Sequence, residues 1–327
     1  MPVSPKTPPV AKTAEGEDRK VGVELEFAGL SVEQTVDLML DAFGGEAEKV
    51  DAHRTILRHE EWGEVTVELD LQYVHGNSSE EDGADGSNSL FKDFELPDDW
   101  RGPLGDALTG LVPVEIVFPP IPWSRLGELD KVFALLRRHG ALGTRESAFY
   151  AFGLHLNVEV ATGAPEEILH VLQAYLLLSE HLRDAVAVDI TRRILPHTAA
   201  FPESYARKVL SPDYPAVLET MIDDYLHMNP TRNRELDMLP LFTHLAPERV
   251  HSQIKDVLIK PRPTYHYRLP NADLGDPDWS AVTEWNRWVA VEELAADPER
   301  LGAAIASFRA AREVGFPTRL RRLFGVE

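Results

Sequence analysis

The chain has 327 residues, 43% of them hydrophobic, enough for a substantial core in one large domain or two. A net charge of −21 argues against nucleic acid or an anionic membrane as the main partner. There is no cysteine, which excludes disulfides, thiolate zinc sites and a cysteine nucleophile and fits the cytoplasm; no apolar run approaches the roughly 18 residues that span a bilayer.

Residues 1–19 carry Pro2, Pro5, Pro8 and Pro9 among scattered charges, without the apolar core of a signal peptide, and are expected to be a disordered leader. A strand follows over 21–27, with Val21, Val23, Leu25 and Phe27 on one face and Glu24 and Glu26 on the other. Ser31 with Gln34 predicts a capping box for a helix striped by Val32, Val36, Met39, Leu40 and Phe43 and ended by Gly44-Gly45. Residues 64–73 alternate strictly, placing Glu64, Thr66, Glu68, Asp70 and Gln72 opposite an apolar face. Residues 75–100, with eight acids and one lysine between Glu80 and Asp99, read as an acidic loop, either disordered or a mobile lid.

A further strand over 114–118 sets Glu115 opposite Val114, Ile116 and Phe118, and Pro119, Pro120 and Pro122 are expected to stop its pairing. A helix is expected from about 124 to about 139, closed by Gly140. The strand over 154–160 places His155, Asn157 and Glu159 opposite Leu154, Leu156, Val158 and Val160. Pro165 opens a long helix, and residues 190–260, rich in proline, read as a mostly helical insertion. Within 260–271, His266 and Arg268 share a strand face opposite Tyr265, Tyr267 and Leu269. The C-terminus reads as helical, with Trp279, Trp285 and Trp288 as a packing stripe. The pattern is α+β, taken as one domain over 20–327, with no glycine-rich phosphate loop.

If the three acid-bearing strands share a sheet, its polar face gathers Glu24, Glu26, Glu115, His155, Asn157 and Glu159 without a lysine or arginine among them. Two residues of rise separate Glu24 from Glu26 by roughly 6.6 Å. At an effective dielectric of about 20 these charges repel by roughly 2.5 kcal/mol. Bound divalent ions reverse that sign, and glutamate oxygens with an imidazole suit Mg²⁺ or Mn²⁺. The plainer alternative is the solvated face of an amphipathic sheet.

Val-Gly-Val-Glu-Leu-Glu-Phe, Val-Glu-Ile-Val-Phe-Pro-Pro and Gly-Leu-His-Leu-Asn, in that order across roughly residues 20–270, resemble the amidoligase family of the carboxylate–amine ligase superfamily, which includes glutamate–cysteine ligase and glutamine synthetase. The resemblance implies an antiparallel sheet forming a half-open funnel, helices packed on its outer face, divalent ions on its polar face and ATP-driven amide formation. It implies metal ligation by Glu24, Glu26, Glu115 and His155, nucleotide contact by His155 and Asn157, and a phosphate-holding Arg268. Where relatives show Glu-x-Arg, this chain has His266-Tyr267-Arg268, so His266 replaces a carboxylate and can ligate a metal as neutral imidazole. Lys260 and Arg262 can hold phosphate or a substrate carboxylate, and Glu68 or Asp70 can orient an amine.

The expected function is an ATP- and Mg²⁺- (or Mn²⁺-) dependent ligase joining a carboxylate to an amine, from amino acid or peptide substrates, through an acyl-phosphate. Glu115 and Arg268 would carry the chemistry. A metal-dependent hydrolase using the same face, or a non-catalytic binding relative of the same fold, are the alternatives.

Overall fold

Alternation in the first strand seeds the architecture, because its apolar residues bury against helices while its acids turn to the other side of the sheet. The structure is a computed structural model that describes residues 3–70, 112–144, 152–186, 199–256 and 258–324, with side chains as far as residue 311. The expected acidic loop at 75–100 lies outside these residues.

In chain order the elements are β1 (Lys20–Phe27), α1 (Val32–Phe43), β2 (Glu46–Lys49), β3 (Arg54–His59), β4 (Gly63–Leu69), β5 (Val114–Pro122), a 3-10 turn (Trp123–Glu128), α2 (Leu129–Arg138), β6 (Leu154–Glu159) and α3 (Pro165–Ala185). Then come α4 (Glu203–Val209), α5 (Leu218–Met228), β7 (Leu236–Asp237), α6 (Leu239–Leu245), α7 (Pro247–His251), β8 (Thr264–Tyr267), α8 (Ala281–Ala295) and α9 (Pro298–Phe324). The strands form an eight-stranded, open sheet in the order β2-β3-β4-β5-β1-β6-β8-β7, and every strand pairing in it is antiparallel. β1 therefore sits inside, flanked by the other two acid-bearing strands.

The capping box forms as expected: Gln34 N donates to Ser31 Oγ (3.1 Å) and Ser31 N to Gln34 Oε1 (2.9 Å), satisfying two donors at the start of α1. Gly44 ends that helix at φ 78°. Tyr265 and Tyr267 pack on Trp288 of α8 at ring separations of 5.5 and 5.4 Å, and Tyr175 of α3 meets Tyr267 at 6.0 Å, so α3 and α8 cover the apolar side of β8. Trp279, Trp285 and Trp288 are core residues, as their spacing predicts.

Two segments differ from expectation. β5 does not stop at its prolines, because Ile121 and Pro122 pair with Val21 and Lys20 beyond a bulge. β4 pairs only with the Val114–Val117 half of β5, so Pro119 and Pro120 fall where no β4 partner needs their missing N–H. Residues 3–19, read from composition as a leader, lie along α8. Trp285 Nε1 donates to Lys6 O (2.9 Å), and Asn286 exchanges hydrogen bonds with Lys6 N and Ser4 O. Arg19, 2% exposed, forms a two-pronged pair with Glu292 (both 2.8 Å) and also donates to Glu159 O and Val10 O. No helix among the described residues is long and apolar enough to cross a membrane.

Candidate functional site

Register decides which polar side chains meet. Glu26 lies opposite Glu115 across β1 and β5, and Glu115 in turn lies opposite Glu68 of β4. Glu24 lies opposite His155 across β1 and β6, Asn157 opposite His266 across β6 and β8, and His266 opposite Asp237 of β7. One sheet face thus carries six of the expected residues from four strands. Glu24, Glu26, His155, Asn157 and His266 are buried, and Glu115 is half-buried.

The contacts are short and directional. His155 Nδ1 lies 3.0 Å from Glu24 Oε2, and its Nε2 lies 3.6 Å from Glu26 Oε1. Asn157 Nδ2 donates to Glu24 Oε1 (2.8 Å), and His266 Nδ1 meets Asn157 Oδ1 (2.6 Å). Arg262 donates to Glu24 Oε1 at 3.0 Å, and Gly153 N to Glu26 Oε2 at 2.7 Å. The two imidazoles stand 5.3 Å apart. Gly22, opposite Asn157, keeps this row close: a Cβ there would come within 3.3 Å of Asn157 Cβ.

Electrostatics separate the acids. Burial pushes the Glu24 carboxyl up, but the His155 hydrogen bond and the fields of His266, His155 and Arg262 hold it well below the ordinary range. Glu115 is pushed well above that range, by burial first and then by Glu24, Asp70, Glu26 and Glu68. Burial also drives His266 well below the usual imidazole value, against the pull of Glu24. His266 is therefore a neutral ring with a lone pair to offer.

Two sets of side chains bring possible ligand atoms within 4.8 Å of one another: Glu24, His155 and His266, and Glu26, Glu115 and His155. Carboxylate oxygens with imidazole nitrogens, facing an acid whose neighbours are four other acids, are a donor set that fits Mg²⁺ or Mn²⁺.

The expected phosphate-side residues are placed less uniformly. Arg262 reaches into the cluster, whereas Lys260 is exposed. Arg268 is half-buried, donates to Arg232 O (2.8 Å), and lends positive field to His266 and Asp237. Glu68 lies beside Arg54 (3.4 Å), and the Asp70 backbone binds Pro113 O. Asp237 was not expected. It is buried, its carboxyl is raised to about 6 by burial, and it caps Leu239 N at 3.0 Å. Its strand has two residues, too few for alternation to show in the sequence.

Fold and cluster describe an α+β protein with an open antiparallel sheet and a buried carboxylate–imidazole face. The chain matches the family model described as "Putative amidoligase enzyme" over residues 17–290, and it belongs to that family, whose description denotes an amide-bond ligase. Among curated proteins and among solved structures nothing matches.

Proposed function

We propose that this protein joins a carboxylate to an amine with ATP and a divalent cation, Mg²⁺ or Mn²⁺, through an acyl-phosphate. The observation that carries the reading is the convergence of Glu26, Glu115 and His155 within 4.8 Å, with the Arg262 guanidinium on the neighbouring Glu24, in a chain of the amidoligase family.

A carboxylate is a poor acyl donor in water, so it has to be activated. Its oxygen attacks the γ-phosphorus of ATP and ADP leaves; the amine nitrogen then attacks the acyl carbon, phosphate leaves, and the amine proton passes to a base. Such chemistry needs positioning and charge neutralisation more than covalent help from the protein. A cation held by Glu26, Glu115 and His155, with Glu24 and His266 close by, would supply neutralisation of phosphate charge.

The chain's own residues do the rest. Arg268 and Arg262 present guanidinium forks to the transferring phosphoryl group, with Lys260 as an exposed cation. Glu68 or Asp70, both acting on Glu115 through their charge, would orient the incoming amine and take its proton. Burial of the cluster keeps water from the activated acyl group.

The test is ADP release from Mg²⁺·ATP against a panel of carboxylate and amine pairs. Release should require a matched pair and fall at least 100-fold in Glu115→Gln and Arg268→Ala. Release that needs no amine, or that is unchanged in both folded variants, overturns the proposal.

A further inference from the structure

A cavity of about 870 Å³ opens at the β2–β3 end of the sheet, a volume typical of small-molecule sites. It lies between the end of α1, the turn from β3 to β4 and the start of α2. His59, in its wall, shares the face of Leu57, opposite to the acid-bearing one. None of Glu24, Glu26, Glu115 or His155 lines it, so it is separate from the candidate ligase site.

Trp62 lines this cavity and is held on three sides. His59 stacks on its ring at 4.3 Å, Phe43 leans on it at 5.2 Å, and Phe118 meets it edge-on at 6.0 Å. His59 is fixed in turn: its Nδ1 accepts from the Glu61 and Trp62 N–H groups (3.3 and 3.2 Å), which leaves Nε2–H for Phe43 O at 3.3 Å. An indole clamped in this way cannot swing to find an acceptor. Trp62 is 7% exposed, and its Nε1 is buried with no acceptor at hydrogen-bond distance. It faces Glu128, whose two oxygens are taken up by Arg125, both at 2.7 Å. That bond holds the Glu128 carboxyl below its ordinary range, and the indole adds to the pull. A buried donor left unmade costs free energy, and an indole N–H only donates, so an occupant has to bring an acceptor oxygen.

The rim supplies charge of both signs. Arg58 is engaged by Glu48 (2.6 Å) and Glu64 (3.1 Å), and Arg125 by Glu128 (2.7 Å) and Glu61 (3.5 Å). Among the described residues this leaves Glu46 and Glu60 on the strand side and Lys131 on the helix side without an ion pair, all three exposed. Acids on one wall, and an ammonium with an N–H donor on the other, complement a ligand that carries both an ammonium and a carboxylate. Ala42 and Phe43 add apolar surface for its side chain.

We propose that this cavity is a second binding site, for a zwitterion with an α-amino group and a carboxylate, such as a free apolar amino acid or a short peptide. Its carboxylate is received by Trp62 Nε1 and Lys131, its ammonium by Glu46 and Glu60, and its side chain by Phe43 and Ala42. The site stands on the cavity alone and does not depend on the ligase reading.

The experiment is calorimetric titration of the full chain, without nucleotide, with L-leucine and with Leu-Gly-Gly. ¹H–¹⁵N spectra with the tryptophan indoles assigned through bonds are recorded alongside. At least one of the two probes should bind at a single site and move the Trp62 indole N–H downfield. The tighter of them tells a free amino acid from a peptide as the better fit. Leucinamide lacks the carboxylate and N-acetyl-leucine lacks the ammonium, and each should bind about tenfold more weakly than leucine.

Trp62→Phe should weaken binding by about the same factor. Lys131→Met should no longer separate leucine from leucinamide, and Glu46→Gln combined with Glu60→Gln should no longer separate leucine from N-acetyl-leucine. An amino acid is also a candidate substrate of the proposed ligase, so Glu115→Gln is titrated as a control and should leave binding unchanged. An unmoved Trp62 indole with both probes in millimolar excess overturns the proposal. So does loss of binding in folded Glu115→Gln, or discrimination that persists in both charge variants. The wild-type indole shift decides even if Trp62→Phe does not fold. Binding here without amine-dependent ADP release would sink the ligase reading and leave this site standing.

Discussion

Glu26 and Glu115 face each other directly across the β1–β5 pairing, two acids on the same side of adjacent strands. Like charges so placed oppose folding, and burial together with Glu24, Asp70, Glu26 and Glu68 raises the Glu115 carboxyl well above its ordinary value. A carboxyl that holds its proton more tightly when folded adds stability that fades as pH rises above the unfolded value, about 4.3. Metal-free protein should accordingly weaken as pH climbs through that window. Glu115→Gln should flatten the slope and stabilise the metal-free chain near neutrality by about 1 kcal/mol. Urea titrations in chelator, at several pH values, give both quantities; a steeper slope in the variant would contradict the account.

Asp130 offers a second titration far from the cluster in function. Its Oδ1 accepts from Ala281 N (3.1 Å) at the start of α8, and burial raises its carboxyl from 3.8 to about 6. The sign is again that of a raised acid: stability is lost between about pH 4 and about pH 6 as the unfolded state ionises first. Asn at this position can still accept from Ala281 and carries no charge. Because Asp130 is half-exposed, solvent screens the effect, and Asp130→Asn should gain no more than about 1 kcal/mol at pH 7 and nothing at pH 4. Melting temperatures at the two pH values are the measurement.

The Arg19–Glu292 pair should behave as a buried ion pair whose partners cannot be separated. Glu292 also receives Trp288 Nε1 at 2.7 Å. Arg19→Met leaves that carboxylate buried without its guanidinium and should cost about 3–5 kcal/mol, whereas Arg19→Met with Glu292→Gln should recover a large part of the loss. Chemical denaturation of the two singles and the double gives the coupling, and additivity would exclude it.

Much of this molecule can be read in its sequence where one face is apolar and the other polar. β1, the first half of β5, β6 and β8 all declare themselves by alternation, and the acids, imidazoles and amide they carry meet on one face. α1 is announced by Ser31 and Gln34. β2 is not, because Glu46–Lys49 is exposed on both faces and shows no period. β3 has its apolar Ile56 and Leu57 side by side, which blurs alternation. The continuation of β5 through Pro119 and Pro120 depends on how far β4 extends, a tertiary fact. Arg262 is separated from β8 by Pro263 alone, and nothing local says its side chain crosses to Glu24. The row of contacts from His155 through Glu24 and Asn157 to His266 likewise appears only once three strands are in register.

Gly22 is the residue of the site with no chemistry and a definite role. Gly22→Ala would press on Asn157 at 3.3 Å from Cβ to Cβ, tight enough that the amide has to give by a few tenths of an ångström. The fold should survive with a loss of about 1 kcal/mol, while the Asn157–Glu24 contact loosens. A variant with wild-type stability and an unshifted Asn157 side-chain amide resonance would show that the row has slack.

Pro119 and Pro120 carry one more consequence. They occupy the stretch of β5 that β4 leaves uncovered, and neither has an N–H to give. A stray polypeptide trying to zip onto the sheet at that notch would find acceptors without donors, so cross-chain aggregation is discouraged there by backbone chemistry rather than by repulsive charge.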